Sequence, residues 1–146
     1  MKNKIRNIFS DGPISYDFII NSIKKHSIKT KVGAHEIFLG QVRQDCIDEK
    51  KVISLNFSAQ KEMANKVCHE IKEKTLNENE VECMHIYHSL GEVKVGQICF
   101  FVFISGKHRS NLNNLLKKIV KNIKQKAPIF GKETFDDDSY QWKKNK

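Results

Sequence analysis

The sequence predicts an α+β fold in one domain, on three observations. Two long segments carry apolar residues at helical spacing, several shorter ones alternate or run apolar over strand lengths, and the two kinds do not follow the strict β-α-β order of a parallel sheet. The length of 146 residues fits a single unit. A chain of this size removes about 68–70% of its unfolded surface from water, enough for a real core. No internal repeat or low-complexity linker divides it, so residues 1–146 are taken as one domain.

Taken in order, Ile5 to Phe9 reads as a short strand and Asp11-Gly12-Pro13 as a turn. Ser15 follows as an N-cap, its hydroxyl able to accept from a free N–H of the first turn, and the helix after it carries Phe18, Ile19 and Ile23. Ala34 to Val42 and Lys51 to Phe57 are extended apolar stretches on either side of a polar loop around Asp45 to Lys50, and are expected to pair. From Lys61 to Leu76, Met63, Val67 and Ile71 recur at helical spacing, with Ala64 and Cys68 beside them. Glu62, Lys66, Glu70 and Lys74 form i,i+4 pairs on the other face, so this helix lies on a sheet. Val81 to Tyr87 and Gln97 to Ser105 are strands, joined by Leu90 to Gly96, whose two glycines punctuate a hairpin or small excursion. Ile98 to Ile104 has no polar face, so both of its faces should be covered, as in a central or interface strand. Ser110 to Lys126 is the clearest helix, with Leu112, Leu115, Leu116, Ile119, Val120 and Ile123 on one side, stopped by Pro128.

Composition excludes several classes. The longest apolar run is far below the roughly 20 residues that span a bilayer, and the lysine-rich N-terminus lacks a signal-peptide core. Four cysteines, Cys46, Cys68, Cys83 and Cys99, form no C-x-x-C pair, which argues against a zinc knuckle or a disulfide scaffold. A soluble cytoplasmic protein with reduced, mostly buried thiols and no membrane contact is expected. The formal charge is +9, from 26 Lys and Arg against 17 Asp and Glu, and its distribution says more than its size. No acid lies between Glu92 and Glu133, a stretch that holds Lys94, Lys107, Arg109, Lys117, Lys118, Lys121, Lys124, Lys126 and Lys132. Such a run predicts positive potential on one face, suited to a phosphate or carboxylate ligand. Nucleic acid is a weaker match, because Phe100, Phe101 and Phe103 look buried and no RNP-like or G-x-x-G loop occurs.

Three clusters carry chemistry. Gly106-Lys107-His108-Arg109-Ser110 ends the buried strand and begins a helix, where free N–H groups and the dipole favour anions. Arg43 ends Gly40-Gln41-Val42-Arg43. The third cluster is Lys124-Gln125-Lys126-Ala127-Pro128-Ile129-Phe130-Gly131-Lys132-Glu133. Each is ordinary alone. In order, with Glu62-Met63-Ala64, His88-Ser89-Leu90-Gly91 plus Gly96, and Trp142, they are specific. That order resembles the MoaE family, the catalytic large subunits of molybdopterin synthase, over roughly residues 34–145. Residues 1–32 match more loosely, and 134–146 read as a polar C-terminal tail.

The resemblance implies an α/β hammerhead with a mixed or antiparallel sheet, dimerising through that sheet. It implies a sulfur transfer: a small ubiquitin-like subunit brings a thiocarboxylate on its C-terminal Gly-Gly tail and donates sulfur, twice, to cyclic pyranopterin monophosphate, giving the molybdopterin dithiolene. Two large subunits and two small ones would make a heterotetramer, and no metal or bound cofactor is required. Lys124 matches the family's catalytic lysine, with neighbouring cations expected to lower its pKa. Arg43, His108 and Arg109 match anion-binding positions, and Lys126 a usually basic one. The terminal Lys143, Lys144 and Lys146 are candidates for reaching across the dimer.

Two departures from the family stand out. The usual P-I-W-K-K-E reads Pro128-Ile129-Phe130-Gly131-Lys132-Glu133, so the first lysine, normally a second active-site cation, is Gly131. Lys132 is the candidate replacement, although adjacent strand residues point to opposite faces. Before Glu62, Asn56-Phe57-Ser58-Ala59-Gln60 stands where Tyr-Glu-x-Tyr is common. These leave a working synthase, a binding-only relative that docks the small subunit, and an unrelated nucleic-acid module as alternatives. His85 and His88, an odd spacing apart on a strand, should face opposite ways and share no metal, and Asp136-Asp137-Asp138 reads as solvated.

Overall fold

The structure is a computed structural model that describes residues 4–144. It contains β1 (Phe9–Asp11), α1 (Tyr16–His26), β2 (Ala34–Gln41), β3 (Cys46–Ile47), β4 (Lys50–Ala59), α2 (Lys61–Glu78), β5 (Cys83–Lys94), β6 (Ile98–Gly106), α3 (Leu112–Lys126), β7 (Ile129–Phe135) and β8 (Tyr140–Trp142). The main sheet runs β2-β6-β5-β4-β7-β8, with β3 added to β4 and β1 to β5. Among the described strands only β1 pairs in parallel. The expected α+β class with a mixed, largely antiparallel sheet is what the chain forms.

β6 organises the core. All nine of its residues are buried, so the expectation that both faces are covered holds. Phe101 and Phe103 pack with Ile14 and Ile19 beneath α1. Val102 and Ile104 face the larger cluster, which contains Ala64 and Cys68 of α2 and Leu112, Leu116, Ile119 and Ile123 of α3. Cys68, 1% exposed, has its thiol pushed up to about 12 by burial. Ser15 caps α1 as expected, accepting from the Phe18 N–H at 3.1 Å. In α1, Phe18 and Ile23 stay partly open while Ile19 and His26 are buried.

Several boundaries differ from the sequence reading, each for a local reason. The first strand is Phe9–Asp11 rather than Ile5 to Phe9, because the Asn65 side chain takes the Ile8 N–H at 2.9 Å. The stretches at Ala34 and Lys51 do not pair with each other, since β6 and β5 lie between them. β5 is long enough to serve three partners: Cys83 to His88 pairs β6, His88 to Leu90 pairs β1, and Gly91 to Lys94 pairs β4. Gly91, at φ +80°, lets the strand change partners. α3 starts at Leu112, two residues late, because Asn111 sits left-handed at φ 65° and caps nothing with its side chain. The expected polar tail carries strand on both sides of a turn: Phe135 ends β7, and Asp136 to Ser139 turn into β8. Asp137 there accepts from the Ser139 N–H at 3.0 Å and meets Lys50 at 3.2 Å. Its hydrogen bonds with Ser139, more than Lys50, hold its carboxyl down at about 2. Among the described residues no helix is long and apolar enough to cross a membrane.

Candidate active site

A cavity of about 120 Å³ opens where the last turn of α3, the end of β2 and the start of β7 converge. Its polar lining includes Lys124, Lys143 and His88, and Cys99, Phe57 and Gly131 stand beside them. Each is set by its element. Ile123, 1% exposed, anchors the end of α3 in the core, which leaves Lys124 at the mouth with Nζ 5.7 Å from the Phe38 ring centroid. Cys99 is the extra residue of a bulge opposite Gly40/Gln41, and such bulges re-aim side chains. A Cβ on Gly40 would stand 3.0 Å from Phe100 Cβ, so glycine lets β2 close against β6 there.

His88 points away from His85, as strand alternation requires, and into this cavity. Its Nδ1 lies 2.8 Å from the Ser89 carbonyl, which can only accept, so Nδ1 carries the proton and Nε2 keeps a lone pair. Burial drives this imidazole down to about 4; the charge of Lys124 adds to the effect and the Ser89 bond opposes it. His88 is therefore neutral near pH 7. Burial raises the Cys99 thiol, against the pull of Lys143 and Lys124, while its Sγ meets the Gly40 carbonyl at 3.5 Å. The site is a cationic mouth over a neutral floor, and none of the described residues that line it is a carboxylate.

Of the residues matched to the family's catalytic and anion-binding positions, Lys124 lines the cavity, whereas Arg43, His108, Arg109, Lys126 and the candidate Lys132 do not. Arg43 is exposed and forked onto Asp45, Nε to Oδ1 at 2.7 Å and Nη2 to Oδ2 at 3.2 Å, two residues beyond the lining Gln41. That pairing raises its pKa. Lys126 is exposed on the last turn of α3. His108 and Arg109 sit in the loop before α3, where His108 borders a separate hollow with Glu78 and Asn79. Leu112 to Lys124 spans about 18 Å at 1.5 Å per residue, so these two cannot reach Lys124 within one chain. Lys132 does not swing into the space at Gly131. It faces the other side of β7, with Nζ 4.7 Å from the Tyr140 ring centroid. Lys143 lines the cavity of its own chain, and Lys146 is outside the described residues.

The sequence reading gave no catalytic or binding role to His88 and Cys99, which line the cavity, and offered Lys143 only for a neighbouring site. The H-x-x-G order flagged the neighbourhood of His88, but nothing local marked the bulge or the return of the C-terminus. A second titratable group, His26, Cys83 and His85, has donor atoms within 4.8 Å of one another. Its polar atoms already form a relay. Arg6 approaches His85 Nδ1 at 3.5 Å, His85 Nε2 meets His26 Nε2 at 2.9 Å, and His26 Nδ1 donates to the Ser22 carbonyl at 2.6 Å. Burial first, then the charges of His26, Lys72, Arg6 and Lys29, lower His85 to about 4, a field that opposes a divalent cation.

Comparisons with known proteins agree with this architecture. The family model described as MoaE protein matches residues 10–126, a stretch that holds Lys124 and stops short of Gly131 and Lys143. The molybdopterin synthase catalytic subunit of Drosophila melanogaster is 34% identical over 119 residues, covering 78% of this chain and 31% of that protein. The Rattus norvegicus subunit is 28% identical over 131 residues, covering 87% and 63%. The chain thus spans about a third of the fly relative's length. Molybdopterin synthase from Staphylococcus aureus superposes with a TM-score of 0.80 at 23% identity, covering 93% of this chain and 95% of that one. The complex of subunits 1 and 2 of molybdopterin-converting factor from Helicobacter pylori 26695 gives 0.79 at 22% identity, covering 94% and 90%. These last two likenesses speak to fold. Because the family model matches residues 10–126, well over half of the chain, the chain belongs to the MoaE protein family.

Proposed function

We propose that this chain is the catalytic subunit of a cytoplasmic molybdopterin synthase, a sulfurtransferase acting on cyclic pyranopterin monophosphate. Its sulfur donor would be a small ubiquitin-like subunit with a thiocarboxylated Gly-Gly tail. The observation that carries this reading is the position of Lys124, an ammonium at the mouth of a narrow cavity that it lines with His88, Cys99 and Lys143. The tail brings a thiocarboxylate and the substrate a phosphate. As sulfur attacks, negative charge develops on oxygen, and a fixed cation over a poorly hydrated floor stabilises it more than water would. Neutral His88 offers Nε2 as a hydrogen-bond acceptor for a substrate N–H or O–H near pH 7.

Arg43 and Lys126, exposed next to lining residues, are proposed as contacts for substrate anions at the rim. His108 and Arg109 would act at the cavity of a second copy, since their own Lys124 lies a helix length away. This makes a homodimer within a heterotetramer part of the reading. The test is molybdopterin formation from purified protein, thiocarboxylated small subunit and substrate. Lys124→Ala should lower turnover by about 100-fold or more with the complex still formed. The absence of a lysine at Gly131 favours a second reading, a binding-only relative. Complex formation without wild-type turnover would select it.

A further inference from the structure

We infer that Lys143 supplies the second ammonium of the cavity, standing in for the side chain that Gly131 lacks. The inference rests on the synthase reading for its substrate, but its geometry is independent of that reading. β7 and β8 pair antiparallel, with Lys132 opposite Trp142, Glu133 opposite Gln141 and Thr134 opposite Tyr140. One more step places Lys143 opposite Gly131, and the hydrogen bond from the Lys143 N–H to the Gly131 carbonyl, 2.8 Å, is made. Residues directly opposite in an antiparallel pair point to the same face, with Cβ positions about 5 Å apart. The face of Gly131 is the cavity face, because Gly131 and its other neighbour, Phe57, both line it.

Lys143 therefore projects beside the place a lysine at 131 would occupy, and it lines the cavity together with Lys124. Both charges act on Cys99. Lys132, its sequence neighbour to the gap, is held on the opposite face over Tyr140. The ligand class is an anionic oxygen group gripped between two ammoniums, as in a phosphate or a chain-terminal carboxylate. A lysine restored at 131 would fit: its Cβ would stand 3.3 Å from Phe57 Cε1, a contact that a small ring shift relieves.

The experiment uses the full chain and two probes, inorganic phosphate and a peptide ending in Gly-Gly with a free carboxylate, with affinities read by NMR titration. Lys143→Ala should weaken one or both by about tenfold, the loss of one of two charge-assisted contacts. Weakening confined to phosphate identifies the substrate's phosphate as the ligand, and weakening confined to the peptide identifies the tail. Lys143→Arg should keep most of the affinity, and Lys143→Ala combined with Gly131→Lys should regain it, which a merely structural role at 143 would not produce. Lys132→Ala should leave both affinities unchanged. Unchanged binding in Lys143→Ala, or an equal loss in Lys132→Ala, overturns the inference. Turnover is measured in parallel: if wild type and Lys124→Ala are equally inactive, the synthase reading fails, while the binding arms still decide the role of Lys143.

Discussion

His88 shows how a single side chain can be invisible in a sequence and decisive in a site. Nothing in H-S-L-G states that the ring will be buried, yet burial moves its pKa from 6.5 to about 4. The sign of the stability effect follows. Between pH 6.5 and 4 the unfolded chain takes up a proton that the folded chain refuses, so this contribution is complete above about pH 6.5 and is lost as pH falls toward 4. The shift corresponds to about 3 kcal/mol for His88, and His85 adds in the same direction. Urea unfolding from pH 7 to 4.5 should show the decline, and His88→Gln should flatten it; an identical slope in the variant would remove His88 as the cause. Lys124, by contrast, was legible, because its motif combines a lysine with a proline that stops the helix four residues later. Lys132 was misplaced for the reason that adjacent strand residues face opposite ways.

At the level of elements, periodicity identified α2, α3 and β6, because each buries a stripe or a whole strand that composition reveals. Their ends and partners were less legible. Asn111, left-handed at φ 65° with no capping bond, delays α3 beyond the Ser110 that the sequence offered. Asn111→Ala should cost about 1 kcal/mol, as alanine tolerates the left-handed region less well than asparagine, and Asn111→Gly should be neutral or slightly stabilising, both read from chemical denaturation. Ile119, 2% exposed within α3, is a core contact whose Ala variant should lose about 2–4 kcal/mol. If Ile119→Ala is as stable as wild type, α3 is not seated as described. The β7–β8 hairpin escaped notice because β8 is only three residues long and the turn before it, Asp136 to Ser139, is acidic, which reads as a tail.

For the whole molecule, the separation of His108 and Arg109 from Lys124 along α3 turns an intrachain question into one of assembly. Light scattering should give twice the 17.0 kDa of one chain. Mixing Lys124→Ala protein with a His108→Ala/Arg109→Ala double variant, each inactive alone, should restore about a quarter of wild-type turnover, one intact site in each mixed dimer. No recovery in dimers shown to exchange subunits would leave these two residues without a role at a neighbour's site. The sequence by itself determined the fold class, the buried β6, the long amphipathic helices and the family, because apolar periodicity and motif order are local properties written in consecutive residues. Only the tertiary structure decided which cations share a cavity. Strand register and helix length act between residues distant along the chain: they bring Lys143 opposite Gly131, turn Lys132 to the far face, and set His108 and Arg109 a helix length from Lys124.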